Sequence, residues 1–156
     1  MAQEPLPFSP PTARLYSIGY EGLTPDELVR HLQSLGVTLV VDVRYNPVSR
    51  KPGFSRRALE KRLPESGITY RHEQTLGNPP DIRAVFTAGA VEEAAGRLRA
   101  VLDDIGATAL ERLADDARTT RVAVLCLERA SVRCHRRIVT DRLRELYPDI
   151  DVADVL

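Results

Sequence analysis

Three adjacent residues, Cys134, His135 and Arg136, are the part of the chain best suited to chemistry. They follow the most strand-like apolar run, Val122–Leu127, and a short polar loop, and the pattern predicts that they begin a helix. The free N–H groups and the dipole of a helix N-terminus favour anions and thiolates. The tripeptide therefore predicts a site that binds an anion, uses a thiol, or does both.

Other unusual polar residues follow the remaining predicted strands. In open parallel sheets, ligands bind beyond the carboxyl ends of the strands, so these residues are expected around one cleft. The expected ligand-binding set is Tyr20, Glu21, Asp42, Arg44, Ser49, Arg50, His72, Cys126 and Arg136. The candidates for catalysis are Cys134, His135 and Glu128.

Asp42 interrupts a strand that is otherwise apolar on both faces, and a buried carboxylate must be paired or hydrogen-bonded. Arg44 lies two residues on, on the same face, and is the expected partner. Two interpretations stay open: a structural ion pair that fixes the loop, or a carboxylate that orients Arg44 toward a ligand anion.

The segment 44–51 is a basic loop that contains Ser49 and Arg50, and guanidinium groups suit phosphate or carboxylate recognition. A solvated surface loop is the alternative. Cys134 is either a nucleophile or a small buried residue, and Glu21 with Glu128 would suit an acid–base pair. The cysteine and histidine spacings do not match structural zinc sites, so we expect no metal and no cofactor.

Short apolar runs alternate with helical patterns from Arg14 onward. Strands are predicted at Leu15–Ile18, 39–43, 68–72, Val122–Leu127 and, as an edge strand, 150–155. Helices are predicted from Pro25 to Leu35, from Ser55 to Leu63, over 90–114 with breaks at Gly96 and Gly106, and over 134–146. This order predicts a single-domain three-layer α/β sandwich with a mostly parallel, Rossmann-like sheet of about five strands.

Size and composition agree with one soluble domain over residues 14–156, preceded by a flexible proline-rich arm at 1–13. Formal net charge is zero, but eight basic and three acidic residues lie between Asp42 and His72. No apolar stretch is long enough to cross a bilayer, and no export signal is evident. With only two cysteines, we expect a cytoplasmic protein that does not bind membranes. A homodimer is compatible with the sequence but not required by it.

The motifs together resemble domain-of-unknown-function family 488. They are Ser17–Gly22, Val41–Arg44 with Pro47 and Ser49-Arg50, Gly53–Ser55, Leu76-Gly77, and Leu125–Glu128 with Cys134–Arg136. The resemblance implies a compact α/β domain with these motifs around one cleft, and no settled activity. A weaker similarity to rhodanese-like domains implies that Cys126 would carry a persulfide, although residues 127–133 contain no glycine to let the backbone curl around an anion.

Three functions follow from the sequence. The first is a small enzyme acting on a phosphate-bearing ligand, such as a nucleotide or a nucleic-acid component, with Arg44, Arg50 and Arg136 holding the anion. The second is a non-catalytic module that binds a nucleotide or nucleic acid through the same arginines. The third is rhodanese-like sulfur transfer through Cys126.

Overall fold

A computed structural model describes residues 14–127 and 135–155 of the 156-residue chain. Its strands are β1 (Leu15–Gly19), β2 (Leu39–Asp42), β3 (Thr69–His72), β4 (Val122–Cys126) and β5 (Val152–Val155). They form one sheet in the order β3-β2-β4-β1-β5, and every pairing is parallel. The α/β fold predicted from the sequence is confirmed, with a sheet that is parallel throughout.

Six helices connect these strands within the described ranges. They are α1 (Pro25–Ser34), α2 (Arg56–Glu65), α3 (Pro80–Thr87), α4 (Val91–Asp103), α5 (Ala107–Thr119) and α6 (Arg136–Leu146), with a short 3-10 turn at Gln74–Leu76. In these ranges, no helix combines the length and the apolar character that a membrane span requires.

The helices form a layer on each face of the sheet. Buried residues of α1 and α2 pack in one core with Tyr16, Ile18 and Leu125 of the sheet. Buried residues of α3, α4, α5 and α6 pack in a second core with Val41 and Val124, which point to the other face. The result is a three-layer sandwich with one helix layer on either side of the sheet.

The start of α1 follows directly from its sequence. The hydroxyl of Thr24 accepts from the backbone N–H of Glu27 at 3.1 Å, and the Glu27 carboxylate accepts from the backbone N–H of Thr24 at 3.1 Å. Pro25 occupies the first turn, where its missing N–H costs nothing. The backbone hydrogen bond from Thr24 lowers the pKa of Glu27, so the carboxylate that closes the capping box stays ionised. Thr24 and Glu27 therefore form a capping box that begins α1 without help from distant residues.

Two features of the helical region differ from expectation. The sequence pattern predicted no helix between residues 64 and 89, whereas α3 begins at Pro80, a residue pre-organised for a first turn. The expected break at Gly96 is wrong, because Gly96 lies inside α4 with open space around it. The expected break at Gly106 is confirmed, because α4 ends at Asp103 and α5 begins at Ala107. The close contact of Gly106 with the Leu102 backbone leaves no room for a side chain.

Candidate functional site

The carboxyl end of β4 is a switch point of the sheet topology. The helices that follow β1 and β2 pack on the α1/α2 face, whereas α6, the helix that follows β4, packs on the opposite face. Because β4 lies between β2 and β1, its helix diverges from the helices that follow both neighbours. Such a divergence is where ligands bind in open parallel sheets.

A buried ion pair occupies the α1/α2 side of this edge. Asp42 is inaccessible to solvent, and Arg44 donates to it twice, from Nε to Oδ1 at 2.8 Å and from Nη2 to Oδ2 at 2.6 Å. The hydroxyl of Tyr70 donates to Oδ2 as well. Burial and the charge of Asp42 raise the pKa of Tyr70, so this hydroxyl remains a protonated donor. The pairing expected from the two-residue spacing is present as a buried ion pair.

The remaining donors of Arg44 also bind the protein. Its Nη1 donates to the carbonyl of Phe54 at 2.6 Å and to the hydroxyl of Tyr20 at 3.2 Å, and the rings of Tyr20 and Phe54 stack at 4.4 Å. Burial opposes the charge on Arg44, but the hydrogen bonds and charge of Asp42 outweigh burial and raise its pKa. With 5% of its surface exposed, Arg44 fastens the loop before α2 to the sheet.

A thiol–imidazole pair, Cys126 and His135, lies on the α6 side of the edge. Nε2 of His135 lies 2.8 Å from the carbonyl oxygen of Val43. A carbonyl only accepts, so Nε2 carries the proton and the lone pair of a neutral ring is on Nδ1. Nδ1 faces Sγ of Cys126 at 3.9 Å, within reach of a hydrogen bond to sulfur. The arrangement is a thiol next to a base that a third group orients.

Arg136 anchors the first turn of α6 to the sheet. Its side chain is fully buried, and its Nε donates to the hydroxyl of Ser17 in β1 at 2.5 Å. It holds α6 over β1 and thereby fixes the position of His135, the residue before it.

The two groups share the edge but lie on opposite faces of the sheet. Alternate residues of a strand point to opposite sides, so Val43 and Cys126 pack with α6 while Asp42 and Arg44 point toward Tyr20 and the other core. Among the described residues, the peptide of Val43 joins the groups through its carbonyl contact with His135. The structure therefore gives Arg44 and the thiol different surroundings, although the sequence predicted one shared cleft.

The other candidates lie around the rim. Glu21 is exposed, and its backbone N–H donates to the carbonyl of Leu127 at 2.8 Å. The Ser49 hydroxyl accepts from the backbone N–H of Lys51 at 3.1 Å, which shapes the basic loop, while Arg50 is exposed on that loop.

His72 connects β3 to two neighbours at the same rim. Its Nε2 lies 2.7 Å from the carbonyl oxygen of Arg44, and its Nδ1 lies 3.4 Å from Nη1 of Arg56. Cys134 and Glu128 fall outside the described residues, so their predicted roles stay predictions. Within residues 14–127 and 135–155, no three His, Cys, Asp or Glu side chains are placed to hold a metal ion.

Sequence reasoning missed the contributions of Tyr70 and the Val43 carbonyl. Tyr70 precedes His72 by two residues on β3, and β3 pairs with β2 so that Asp42 lies beside His72. The alternation of Ile68, Tyr70 and His72 was a usable signal, because it places a hydroxyl diagonally across from the buried carboxylate. A backbone carbonyl leaves no comparable signal in a sequence.

The architecture defines a small α/β domain with an all-parallel sheet and a polar edge around its central strand. The chain belongs to the family described as a domain of unknown function, DUF488, whose model matches residues 24–143. That match runs from the N-cap of α1 to the last buried leucine of α6 and confirms the family resemblance expected from the sequence. No curated protein and no solved structure matches the chain. The family description names no activity, so function has to be argued from the site.

Proposed function

We propose that this protein is a small enzyme that acts on a phosphate-bearing ligand at the carboxyl end of β4, with Cys126 as nucleophile and His135 as its base. One observation carries the proposal: Nδ1 of His135 faces the Cys126 sulfur at 3.9 Å while Nε2 is bonded to the Val43 carbonyl at 2.8 Å. The proposal assigns Cys126, which contacts the imidazole, as the nucleophile. The sequence had favoured Cys134 for this role.

The chemistry of the pair is that of an activated thiol. The thiolate, rather than the thiol, attacks an electrophile, here the phosphorus of the ligand. The Cys126 proton moves to Nδ1 of His135 while the S–P bond forms and the P–O bond to the leaving group breaks. The Val43 carbonyl keeps Nε2 protonated and the ring in place, and the imidazolium that forms retains that hydrogen bond. His135 can then donate this proton to the leaving group.

A phosphate-bearing ligand suits the charges at this edge. The N-terminus of α6 begins next to His135, and the positive end of a helix dipole favours anions. Arg50 is exposed on the β2–α2 loop, whereas Arg44 and Arg136 are buried and bound to protein atoms. In this proposal Arg50 meets the ligand directly, and the two buried arginines hold the surrounding elements in place.

Two other functions, a binding module and sulfur transfer, are alternatives to this enzyme. A binding module without turnover would have to use Arg50, because the donors of Arg44 are bound to Asp42 and Phe54. Sulfur transfer is favoured by the position of Cys126 at the end of β4, where the rhodanese analogy expects a persulfide carrier. Cyanide-releasable sulfur on Cys126 after thiosulfate treatment would favour sulfur transfer over the main proposal.

The test measures ligand binding and turnover for the wild type and for two matched variants, Cys126→Ser and Cys134→Ser. Inorganic phosphate and then nucleotides are screened by thermal shift, since a ligand at 100 times its dissociation constant stabilises the native state by about 2.7 kcal/mol. We expect both variants to keep the shift, and only Cys126→Ser to lose conversion of the ligand that binds. Equal conversion by Cys126→Ser and the wild type would contradict the assigned nucleophile.

A further inference from the structure

The chain concentrates unpaired positive charge between β2 and the end of α2. Residues 50–65, which run to the last residue of α2, contain six basic side chains and two acidic side chains, Glu60 and Glu65. Arg56 pairs with Glu60 and Arg62 pairs with Asp26. The other four make no ion pair with any residue that the structure describes, and we call them the basic strip: Arg50, Lys51, Arg57 and Lys61.

The basic strip forms one surface across a loop and a helix. Arg57 and Lys61 are one turn apart on α2, so they project from the same side of it. Lys61 and Gly53 of the loop line a common depression of about 260 Å³. Lys51 lies on the same loop, with its ammonium group 5.3 Å from the centre of the Phe54 ring.

The strip begins at the edge that carries the proposed active site. Arg56, at the first position of α2, lies 3.4 Å from His72 at the carboxyl end of β3. The Phe54 carbonyl accepts from Arg44, which ties the loop to the end of β2. From this edge, the strip continues along the outer side of α2 for more than one turn.

The positive charges at the start of α2 would destabilise it as an isolated helix. A helix N-terminus is stabilised by acidic side chains, but the first turn of α2 has none and carries Arg56 and Arg57. Like charges one turn apart on a helix, such as Arg57 and Lys61, also repel each other. The formal net charge of the chain is zero, so the excess is local and does not reflect a generally basic protein. An anion that spans the strip would relieve both costs.

We propose that the basic strip binds the phosphate backbone of a nucleic acid. This inference rests on the proposed function and narrows its phosphate-bearing ligand to a polymer. The four cations are spread along a loop and a helix instead of converging on one point, which suits phosphates that repeat along a strand. The two aromatic rings beside the strip, Tyr20 and Phe54, are buried against each other and are not available to stack on bases. We therefore expect the strip to contact phosphates of the backbone rather than bases.

A membrane surface fits these observations less well. Peripheral membrane segments combine basic residues with a broad apolar face. Near the strip, Val48 is the large apolar side chain that the described residues expose, and the outward side of α2 is polar. A single valine gives too little apolar area to anchor a protein at a bilayer, so the nucleic acid is the partner that the surface favours.

The test is fluorescence anisotropy with a labelled single strand and a labelled duplex at several salt concentrations. We expect binding that weakens between about 50 and 200 mM salt, with Arg57→Glu/Lys61→Glu lowering affinity roughly tenfold or more. Lys61→Glu alone is compared with Arg83→Glu, which makes the same charge change on α3 at an exposed arginine. Only Lys61→Glu is expected to weaken binding and to reduce the salt slope by about one phosphate contact.

Several outcomes would overturn the inference. The first is that neither oligonucleotide binds at about 50 mM salt. The second is that Lys61→Glu and Arg83→Glu change the affinity equally. The third is that the protein binds anionic vesicles but neither oligonucleotide. Concentration-dependent self-association that Lys61→Glu abolishes, without oligonucleotide binding, would also overturn it. Lys61 lies on α2, on the opposite face of the sheet from Cys126, so Lys61→Glu leaves Cys126 alkylation unchanged. Failure of this inference is therefore distinguishable from failure of the proposed function.

Discussion

Asp42→Ala is expected to lower the free energy of unfolding by about 3–5 kcal/mol, because Arg44 would remain buried without its carboxylate. Both oxygens of Asp42 are bonded to the guanidinium, at 2.6 and 2.8 Å, and Tyr70 would lose its acceptor as well. Arg44 also holds the Phe54 carbonyl, so the loop that carries the basic strip should loosen. Urea denaturation measures the loss, and amide exchange of residues 45–55 measures the loosening.

Two further variants separate the ion pair from its surroundings. Tyr70→Phe removes one hydrogen bond to a charged group and should cost about 1.5–3 kcal/mol. Asp42→Leu combined with Arg44→Met replaces the whole pair by apolar side chains and should recover much of the loss, as replacement of buried pairs often does. A cost for Asp42→Ala below about 1 kcal/mol would mean that the pair behaves as an exposed one, contrary to its burial.

Gly77→Ala should have the second large effect on stability. A Cβ at Gly77 would lie 2.5 Å from the Cα atom and 2.7 Å from the backbone nitrogen of Tyr45. Backbone atoms cannot rotate aside as a flexible side chain can, so the 3-10 turn or the loop after β2 must shift. We expect a loss of about 1–3 kcal/mol by urea denaturation, with increased amide exchange at Tyr45.

Gly96→Ala is the matched control for this substitution. Gly96 lies inside α4, and a Cβ there would meet nothing within 4 Å. Alanine should therefore stabilise the protein by about 0.5–1 kcal/mol through its higher helix propensity. Similar losses for the two glycine variants would contradict the close approach between Gly77 and Tyr45.

The elements that local chemistry specifies were predictable from the sequence. Thr24, Pro25 and Glu27 satisfy the first turn of α1 among themselves, so no distant residue is needed to start it. Val40 and Val41 point to opposite cores, which is why the sequence around them is apolar on both faces. The eight-residue helix α3 lacks a side-chain cap and was missed, because only Pro80 and Asp81 mark its start.

The site was predictable in its parts but not in its arrangement. The two-residue spacing of Asp42 and Arg44 predicted their pairing, since alternate residues share a face. The sequence shows Cys134 as the neighbour of His135. In the structure, the His135 ring reaches Cys126 and the carbonyl of Val43, and Val43 lies 92 residues from His135 along the chain. Which strands become neighbours decides such contacts, and no local pattern specifies that β4 inserts between β1 and β2.

The rate of Cys126 alkylation by iodoacetamide at neutral pH tests the thiol–imidazole pair most directly. Mass spectrometry of the peptides separates Cys126 from Cys134, and His135→Gln removes the base while keeping a side chain of similar size. His31→Ala, on α1, is the control. We predict that His135→Gln slows alkylation of Cys126 several-fold while His31→Ala leaves it at the wild-type rate. Equal rates in all three proteins would show that His135 does not activate Cys126, and the proposed chemistry would be wrong.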